Sequence, residues 1–134
     1  MPNNLAKSLE RLKSNTVLVS KTEAYERSTV ALDFSDGTRI QAGYWRLIKA
    51  GKERVSSFDH EQKYGLSVSV DAVEILKREL ENQAVVEATV DGETGDLHFR
   101  FADDVKVQVF AFSGYEVWEI RFPDGSAEYS NHAK

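Results

Sequence analysis

Residues 31–45 read ALDFSDGTRIQAGYW, and residues 98–112 read HFRFADDVKVQVFAF. In both stretches apolar residues recur at alternate positions on either side of a short turn that contains aspartate. A period of two indicates β-strands with one covered face. Asp36-Gly37 is in addition a strong hairpin signal, because glycine readily adopts the positive φ that tight turns require. The two stretches therefore predict antiparallel strands at two places in the chain, 67 residues apart.

The similarity between these two stretches extends in both directions. Without a gap, residues 5–45 align with residues 72–112, and nine of the 41 positions are identical. The identical pairs are Leu9/Leu76, Arg11/Arg78, Asn15/Asn82, Val19/Val86, Thr22/Thr89, Glu26/Glu93, Phe34/Phe101, Asp36/Asp103 and Gln41/Gln108. Self-similarity at a fixed offset is typical of a repeated structural unit. We therefore predict an internal duplication with an offset of 67 residues.

Each repeat is predicted to be a helix followed by an antiparallel meander. Helical spacing of leucines predicts a first helix over Asn3 to Ser14. Asp71 with Glu74 three residues on resembles an N-cap, so a second helix is expected from there to Asn82. The predicted strands are Thr16–Glu23, Ser28–Phe34, Thr38–Lys49 and Arg54–Phe58, then Ala84–Asp91, Asp96–Phe101, Val105–Phe112, Tyr115–Phe122 and Ser126–Ser130.

These elements predict the α+β fold class and one domain over residues 1–134. The first repeat covers residues 3–58, a connection covers 59–69, and the second repeat covers 70–131. The strands of the two repeats either join in one large sheet or pack as two sheets. The order of elements also resembles the saddle of the TATA-binding fold. We expect the apolar residues near the connection to anchor it; they are Phe58, Tyr64 and Leu66.

The composition excludes several classes of function. The chain has no cysteine, which rules out disulfides, thiol nucleophiles and cysteine-bound metals. No apolar run approaches the roughly 20 residues of a membrane-spanning helix, and no secretory signal is recognisable. We therefore expect a cytoplasmic protein that does not contact a membrane. The motifs of phosphate-binding loops, dinucleotide sites and nucleophile elbows are absent, which favours a non-catalytic protein without cofactor or metal.

The charge is unevenly distributed along the chain. Residues 1–67 contain 11 basic and 8 acidic residues, a balance of +3, whereas residues 68–134 contain 6 and 14, a balance of −8. Acidic surfaces repel nucleic acid and attract basic proteins. If the second repeat forms one meander, three turn aspartates gather at one of its ends beside exposed aromatic residues. The predicted partner-binding residues are Asp103, Asp104, Asp124, Trp118 and Tyr115.

An alternative site lies in the connection, where Asp59, His60, Glu61 and Tyr64 follow closely on one another. A histidine beside carboxylates is suited to acid–base chemistry or metal binding. Adjacent side chains point in different directions, however, so a solvated loop is favoured over a metal site. If the cluster is functional, it indicates a small-molecule-binding domain or an enzyme with its site between the repeats.

The closing stretch, Phe110 to Asn131, reads FAFSGYEVWEIRFPDGSAEYSN. It resembles the C-terminal part of small uncharacterised bacterial proteins of the polymorphic-toxin immunity type. The resemblance implies a protein-binding domain that neutralises a basic toxin, and it carries no catalytic residue. With the acidic half it leads to the main hypothesis of a protein partner with a basic surface, and no nucleic acid. A homodimer formed through a free strand edge is a further hypothesis.

Overall fold

A computed structural model describes residues 3–111 and 116–130, with only the backbone of Asn3 and Asn4. The helices are α1 (Asn3–Glu10) and α2 (Ala72–Leu80). The strands are β1 (Val17–Lys21), β2 (Val30–Phe34), β3 (Arg39–Ala42), β4 (Trp45–Lys49), β5 (Lys52–Ser56), β6 (Val85–Val90), β7 (Leu97–Phe101), β8 (Val105–Val109), β9 (Trp118–Arg121) and β10 (Ala127–Tyr129). A 3-10 turn covers Ser57–Asp59.

The predicted α+β class is confirmed, and the strands form two antiparallel sheets of five. Sheet one has the order β1-β2-β3-β9-β10, and sheet two has the order β5-β4-β8-β7-β6. Each sheet therefore combines three consecutive strands from one half of the chain with two strands from the other half. Phe34 of sheet one stacks on Phe99 of sheet two, with ring centroids 5.9 Å apart and both rings buried, so the inner faces of the sheets meet in one core.

The chain leaves sheet one for sheet two at Gly43 and Tyr44. The sequence predicts one strand over Thr38–Lys49, and this prediction is wrong because the segment is two strands in different sheets. The Gly43 N–H donates to the Val117 carbonyl at 3.0 Å, on the sheet-one side. The next strand begins at Trp45, whose N–H donates at 3.1 Å to the hydroxyl of Ser57, the first residue of the 3-10 turn that follows β5 of sheet two.

The predicted meander of the second repeat is also wrong. Strands β8 and β9 are not neighbours, because β8 lies between β4 and β7 while β9 lies between β3 and β10. The chain thus crosses back to sheet one between Val109 and Trp118. The acidic half of the sequence is accordingly not a separate half of the molecule, since its strands are divided between both sheets.

The two sheets nevertheless follow the same plan. Strands β1, β2 and β3 are extended by β9 and β10 in sheet one, and β6, β7 and β8 are extended by β4 and β5 in sheet two. Trp45 and Trp118 each begin a strand and are fully buried. Their indole Nε1–H groups donate to the carbonyls of Ser28 and Gly95, both at 2.9 Å. The duplication stays a prediction, and these matched contacts provide a way to test it.

The helices cover the core from both halves. Helix α1 packs against β6, and helix α2 packs against β1. Asp71 is the N-cap of α2, as predicted, and its carboxylate accepts a hydrogen bond from the Glu74 N–H at 3.0 Å. This contact satisfies a helix-end donor and is worth about 1 kcal/mol. Because α2 begins directly after the connection, the cap also fixes where the connection ends.

Candidate functional site

The connection between the two predicted repeats is a loop whose ends are held together. Arg27 binds Glu61 through two hydrogen bonds of 2.8 and 2.9 Å. The Glu61 N–H donates to the Val70 carbonyl at 2.7 Å, and the Val70 N–H donates to the Gln62 carbonyl at 2.8 Å. These polar contacts, rather than apolar packing, close the loop at its base.

Four large apolar side chains in the connection and at its start are largely exposed. Phe58, Tyr64, Leu66 and Val68 are exposed by 62%, 66%, 62% and 74%. The expectation that Phe58, Tyr64 and Leu66 anchor the connection is therefore wrong, because the loop is closed through its backbone and an ion pair instead. We call these four residues the connecting surface. Among the described residues only Leu18, on β1, is another large apolar side chain with comparable exposure.

Asp59 organises the start of the connection. Its carboxylate accepts a hydrogen bond from the Ser56 N–H at 2.8 Å and another from the Tyr64 hydroxyl at 2.6 Å. The Tyr64 hydrogen bond holds the pKa of Asp59 below its usual range, and the same bond raises the pKa of Tyr64. Asp59 is thus ionised at neutral pH and oriented, but its partners are Ser56 and Tyr64 rather than His60 or Glu61.

The proposed cluster of Asp59, His60 and Glu61 does not converge on one point. Asp59 contacts Ser56 and Tyr64, and Glu61 is paired with Arg27, whose hydrogen bonds lower the pKa of the Glu61 carboxyl. Within residues 3–111 and 116–130, no group of three or more metal-ligating side chains could hold an ion.

His60 is buried rather than solvated, contrary to the sequence-based interpretation of this loop. Its side chain is 6% exposed, and Nδ1 accepts a hydrogen bond from the Ala72 N–H at 3.1 Å. Because Nδ1 is an acceptor, the neutral ring carries its proton on Nε2. In the described part of the chain this buried Nε2 has no hydrogen-bond partner. An unsatisfied buried donor costs about 1–3 kcal/mol, so it requires a physical reason.

His60 also lines a cleft of about 450 Å³ between β1, the connection and α2, which we call the His60 cleft. Strand β1 and the connection form two of its walls, and the first turns of α2 form the third. Its lining includes Val19, Lys21, Glu61, Val70, Val73 and Lys77, together with Asp71 and Glu74. The cleft is open to solvent and lies beside a charged helix start.

The predicted acidic partner site is divided by the fold. Asp103 and Asp104 are exposed in the β7–β8 turn of sheet two, with φ of 60° and 58°. Asp124 lies in the β9–β10 turn of sheet one, where hydrogen bonds from Ser126 lower the pKa of its carboxyl. The single end of a meander that was expected to gather all three does not exist, because β8 and β9 belong to different sheets.

The aromatic members of that predicted site have different outcomes. Trp118 is fully buried, so its proposed contact with a partner is wrong; its indole instead binds the Gly95 carbonyl inside the core. Tyr115 lies outside the described residues.

Comparisons with other proteins leave the function to be inferred from this chain alone. No protein-family model matches it, and no curated protein or solved structure matches it significantly. None of the helices in the described ranges is long and apolar enough to cross a membrane.

Proposed function

We propose that this chain is a non-catalytic protein-binding domain and that the connecting surface is its principal contact. The observation that supports this is the exposure of Phe58, Tyr64, Leu66 and Val68 within eleven consecutive residues. Exposed large apolar side chains favour burial against a partner, and aromatic residues are enriched among those that dominate binding energy. The closed base of the loop reduces the conformational entropy lost on binding.

The charges around the connecting surface favour a basic partner. Asp59 lies beside Tyr64, and Glu26 accepts a hydrogen bond at 3.0 Å from Tyr44, whose ring stacks on Phe58. Among the described residues neither Glu26 nor Asp59 forms an ion pair. Two carboxylates without a matching cation therefore flank the apolar side chains, and lysine or arginine on a partner would complement them. The net charge of −5 acts in the same direction at longer range.

In its concrete form this proposal is an immunity-type protein that neutralises a basic toxin. The resemblance of the closing stretch to such proteins supports this form, and the carboxylates beside the connecting surface agree with it. The acidic turns at Asp103, Asp104 and Asp124 would then accelerate association through the overall field rather than form the contact itself.

The experiment is a comparison of tagged full-length variants as baits in lysate of the source cells, at low and high salt. We expect wild-type chain to retain one stoichiometric basic protein, and Leu66→Ser with Val68→Ser to lose it. Leu18→Ser is the matched control, since Leu18 is 76% exposed but lies on β1, outside the connection. Equal capture by wild type and the double variant contradicts the proposed contact, and capture of no protein contradicts the proposed function.

Charge neutralisation at one acidic surface and charge reversal at the other separate their roles. With the captured protein purified, association rates are measured for Glu26→Gln with Asp59→Asn, and for Asp103→Lys with Asp104→Lys and Asp124→Lys. We expect both sets to slow association, and only the first to accelerate dissociation, because only the first removes groups at the contact. Faster dissociation confined to the triple variant would instead place the contact on the acidic turns.

A further inference from the structure

We infer that the connection is a proteolytic processing site, cut after Tyr64 or Leu66 by a protease whose specificity pocket accepts large apolar side chains. We further infer that the cut protein stays folded, as a molecule of two chains. Two features of the fold carry this inference, which goes beyond the proposed function and requires no protein partner. The connection holds an exposed stretch of backbone, and the two halves that it joins are interlocked.

The backbone of the connection is open to a protease. Residues 61–69 are all exposed, and this is the longest uninterrupted run of exposed residues in the described ranges. Within those ranges the backbone of residues 63–69 forms one hydrogen bond, from the Leu66 N–H to the Lys63 carbonyl at 2.7 Å. Exposed loops that open locally at little cost in free energy are the preferred sites of proteolytic cutting. The fold thus offers little resistance to cleavage at this place.

The side chains of the connection select the class of protease. Leu18 is as exposed as the apolar residues of the connection, but its backbone is paired in the β1–β2 ladder. Phe58 is exposed as well, but it lies within the 3-10 turn that follows β5. Val68 is branched at Cβ and smaller. Tyr64 and Leu66 combine a large exposed apolar side chain with a free backbone, so a chymotrypsin-like protease fits this segment.

Each cut consumes one water molecule and changes one bond. Hydrolysis after Tyr64 leaves a carboxylate on Tyr64 and an ammonium group on Gly65, and hydrolysis after Leu66 leaves the same two groups on Leu66 and Ser67. The cut also releases the backbone of Tyr64 from a φ of 49°, a conformation that is uncommon for a bulky residue. All helices and strands remain intact in the two fragments, because none of them includes these bonds.

The halves on either side of the cut share both sheets. Strand β3 of the first half pairs with β9 of the second half in sheet one, and β4 of the first half pairs with β8 of the second half in sheet two. Neither half therefore contains a complete sheet. Separation of the fragments would leave an unpaired edge on each of these four strands.

The core and the helices join the two halves as well. Helix α1 of the first half packs against β6 of the second, and α2 of the second half packs against β1 of the first. Phe34 of the first half stacks on Phe99 of the second, and both rings are buried. An interface that resembles a divided hydrophobic core is typical of obligate complexes. The fragments should therefore stay bound to each other without a covalent link.

The test is a limited digestion of the folded full chain with a small amount of chymotrypsin, sampled over time. Mass spectrometry identifies the first bond that is cut, and size-exclusion chromatography without denaturant shows whether the fragments separate. We expect the first cut after Tyr64 or Leu66, and both fragments in one peak at the 15.1 kDa of the intact chain. A first cut elsewhere, or fragments that elute separately, overturns the inference.

Variants test the choice of bonds. Tyr64→Ser with Leu66→Ser removes both side chains that the protease pocket accepts, and it should slow the first cut about tenfold or more. Leu18→Ser is the matched control and should leave the rate unchanged, since the β1 backbone is paired. Loss of the Tyr64 hydrogen bond to Asp59 would loosen the loop and accelerate cutting, so a slower cut reports the missing side chains themselves. An unchanged rate in the double variant would contradict the assigned site.

Urea unfolding tests the two-chain product. After cleavage the unfolding midpoint should rise with protein concentration, because unfolding then separates two chains. The midpoint of the intact chain should stay the same at every concentration. A cut molecule whose midpoint does not depend on concentration would show that the interlocked halves are not what holds it together.

The proposed function and the processing site fail separately, because cleavage and co-elution are measured on the chain alone. Capture of no protein, together with the expected first cut, would overturn only the proposed function. A first cut elsewhere, together with loss of capture in Leu66→Ser with Val68→Ser, would overturn only the processing site.

Discussion

The chain passes between its two sheets twice. The two crossings differ in length, but the strand that follows each of them begins with a tryptophan. Strands β3 and β4 are separated by two residues, Gly43 and Tyr44, whereas β8 ends at Val109 and β9 begins at Trp118, with eight sequence positions between them. Both end at a fully buried tryptophan whose indole binds a main-chain carbonyl. The common feature of the two crossings is thus the buried tryptophan at the start of the new strand, and not the length of the connector.

Replacement of the two buried tryptophans should reduce the stability of the fold the most. Trp45→Ala and Trp118→Ala should each lower the free energy of unfolding by about 3–5 kcal/mol, and by amounts that agree within about 1 kcal/mol, because both side chains are fully buried. Urea unfolding followed by far-ultraviolet circular dichroism measures both. Leu18→Ala is the surface control and should change stability by less than about 0.5 kcal/mol. If the two substitutions lowered the free energy of unfolding by strongly different amounts, this would contradict the inference that the two tryptophans play the same structural role.

The short crossing should be much more sensitive to added volume than an open turn. A Cβ at position 43 would lie 2.9 Å from the Cβ of Tyr25, so Gly43→Ala should cost about 1–3 kcal/mol. Gly92 is the matched control, since a Cβ there meets nothing within 4 Å and Gly92→Ala should be neutral or stabilise by about 0.4–1 kcal/mol. Thermal unfolding of both variants provides the comparison.

A second substitution tests the cause of the Gly43 effect. Tyr25→Gly removes the Cβ that would be struck, so the cost of Gly43→Ala should become smaller in that background. If the cost is unchanged, the strain at the short crossing lies in the backbone and not in the contact with Tyr25.

The smallest expected effect concerns the ionisation of Tyr25, a side chain that lies close to Gly43 and to the carboxylates of Glu116 and Glu119. Tyr25 packs on Gly43, and burial together with the carboxylates of Glu119 and Glu116 raises its pKa from 10.0 to about 12. The folded chain then holds this proton more tightly than the unfolded chain, so stability falls as pH rises from about 10 to about 12. Phenolate absorbance should show Tyr25 ionising last, and Tyr25→Phe should remove that step. A native chain whose tyrosines all ionise near pH 10.0 would contradict this.

Much of the local structure could be predicted from the sequence, because it depends on local signals. Alternating apolar residues located the strands, and Asp71 with Glu74 located the start of α2. The break at Gly43 could not be recognised, since apolar residues continue through it and no local pattern states to which sheet a strand belongs. That choice is made by contacts with Val117 and Ser57, which are distant in the sequence.

The candidate sites were harder to predict for the same reason. His60 looks like an ordinary loop residue in the sequence, and its burial depends on the Ala72 N–H twelve residues on. The apolar residues of the connection resemble anchors, but the loop is closed by backbone hydrogen bonds between Glu61, Gln62 and Val70 and by the ion pair of Glu61 with Arg27, 34 residues away. The sequence predicts Trp118 as an exposed partner contact, whereas in the structure it begins β9 and is buried in the core.

The exchange of strands between the two sheets has a consequence for synthesis. Strand β3 pairs with β9, and β4 pairs with β8. Neither sheet can therefore be completed until β8 and β9 have left the ribosome. Until then the nascent first half exposes two unpaired strand edges together with the core-facing side of Trp45, features that favour aggregation or capture by chaperones. Both sheets should therefore form only after β8 and β9 have been translated, and slowly, because their defining contacts join residues far apart in the sequence.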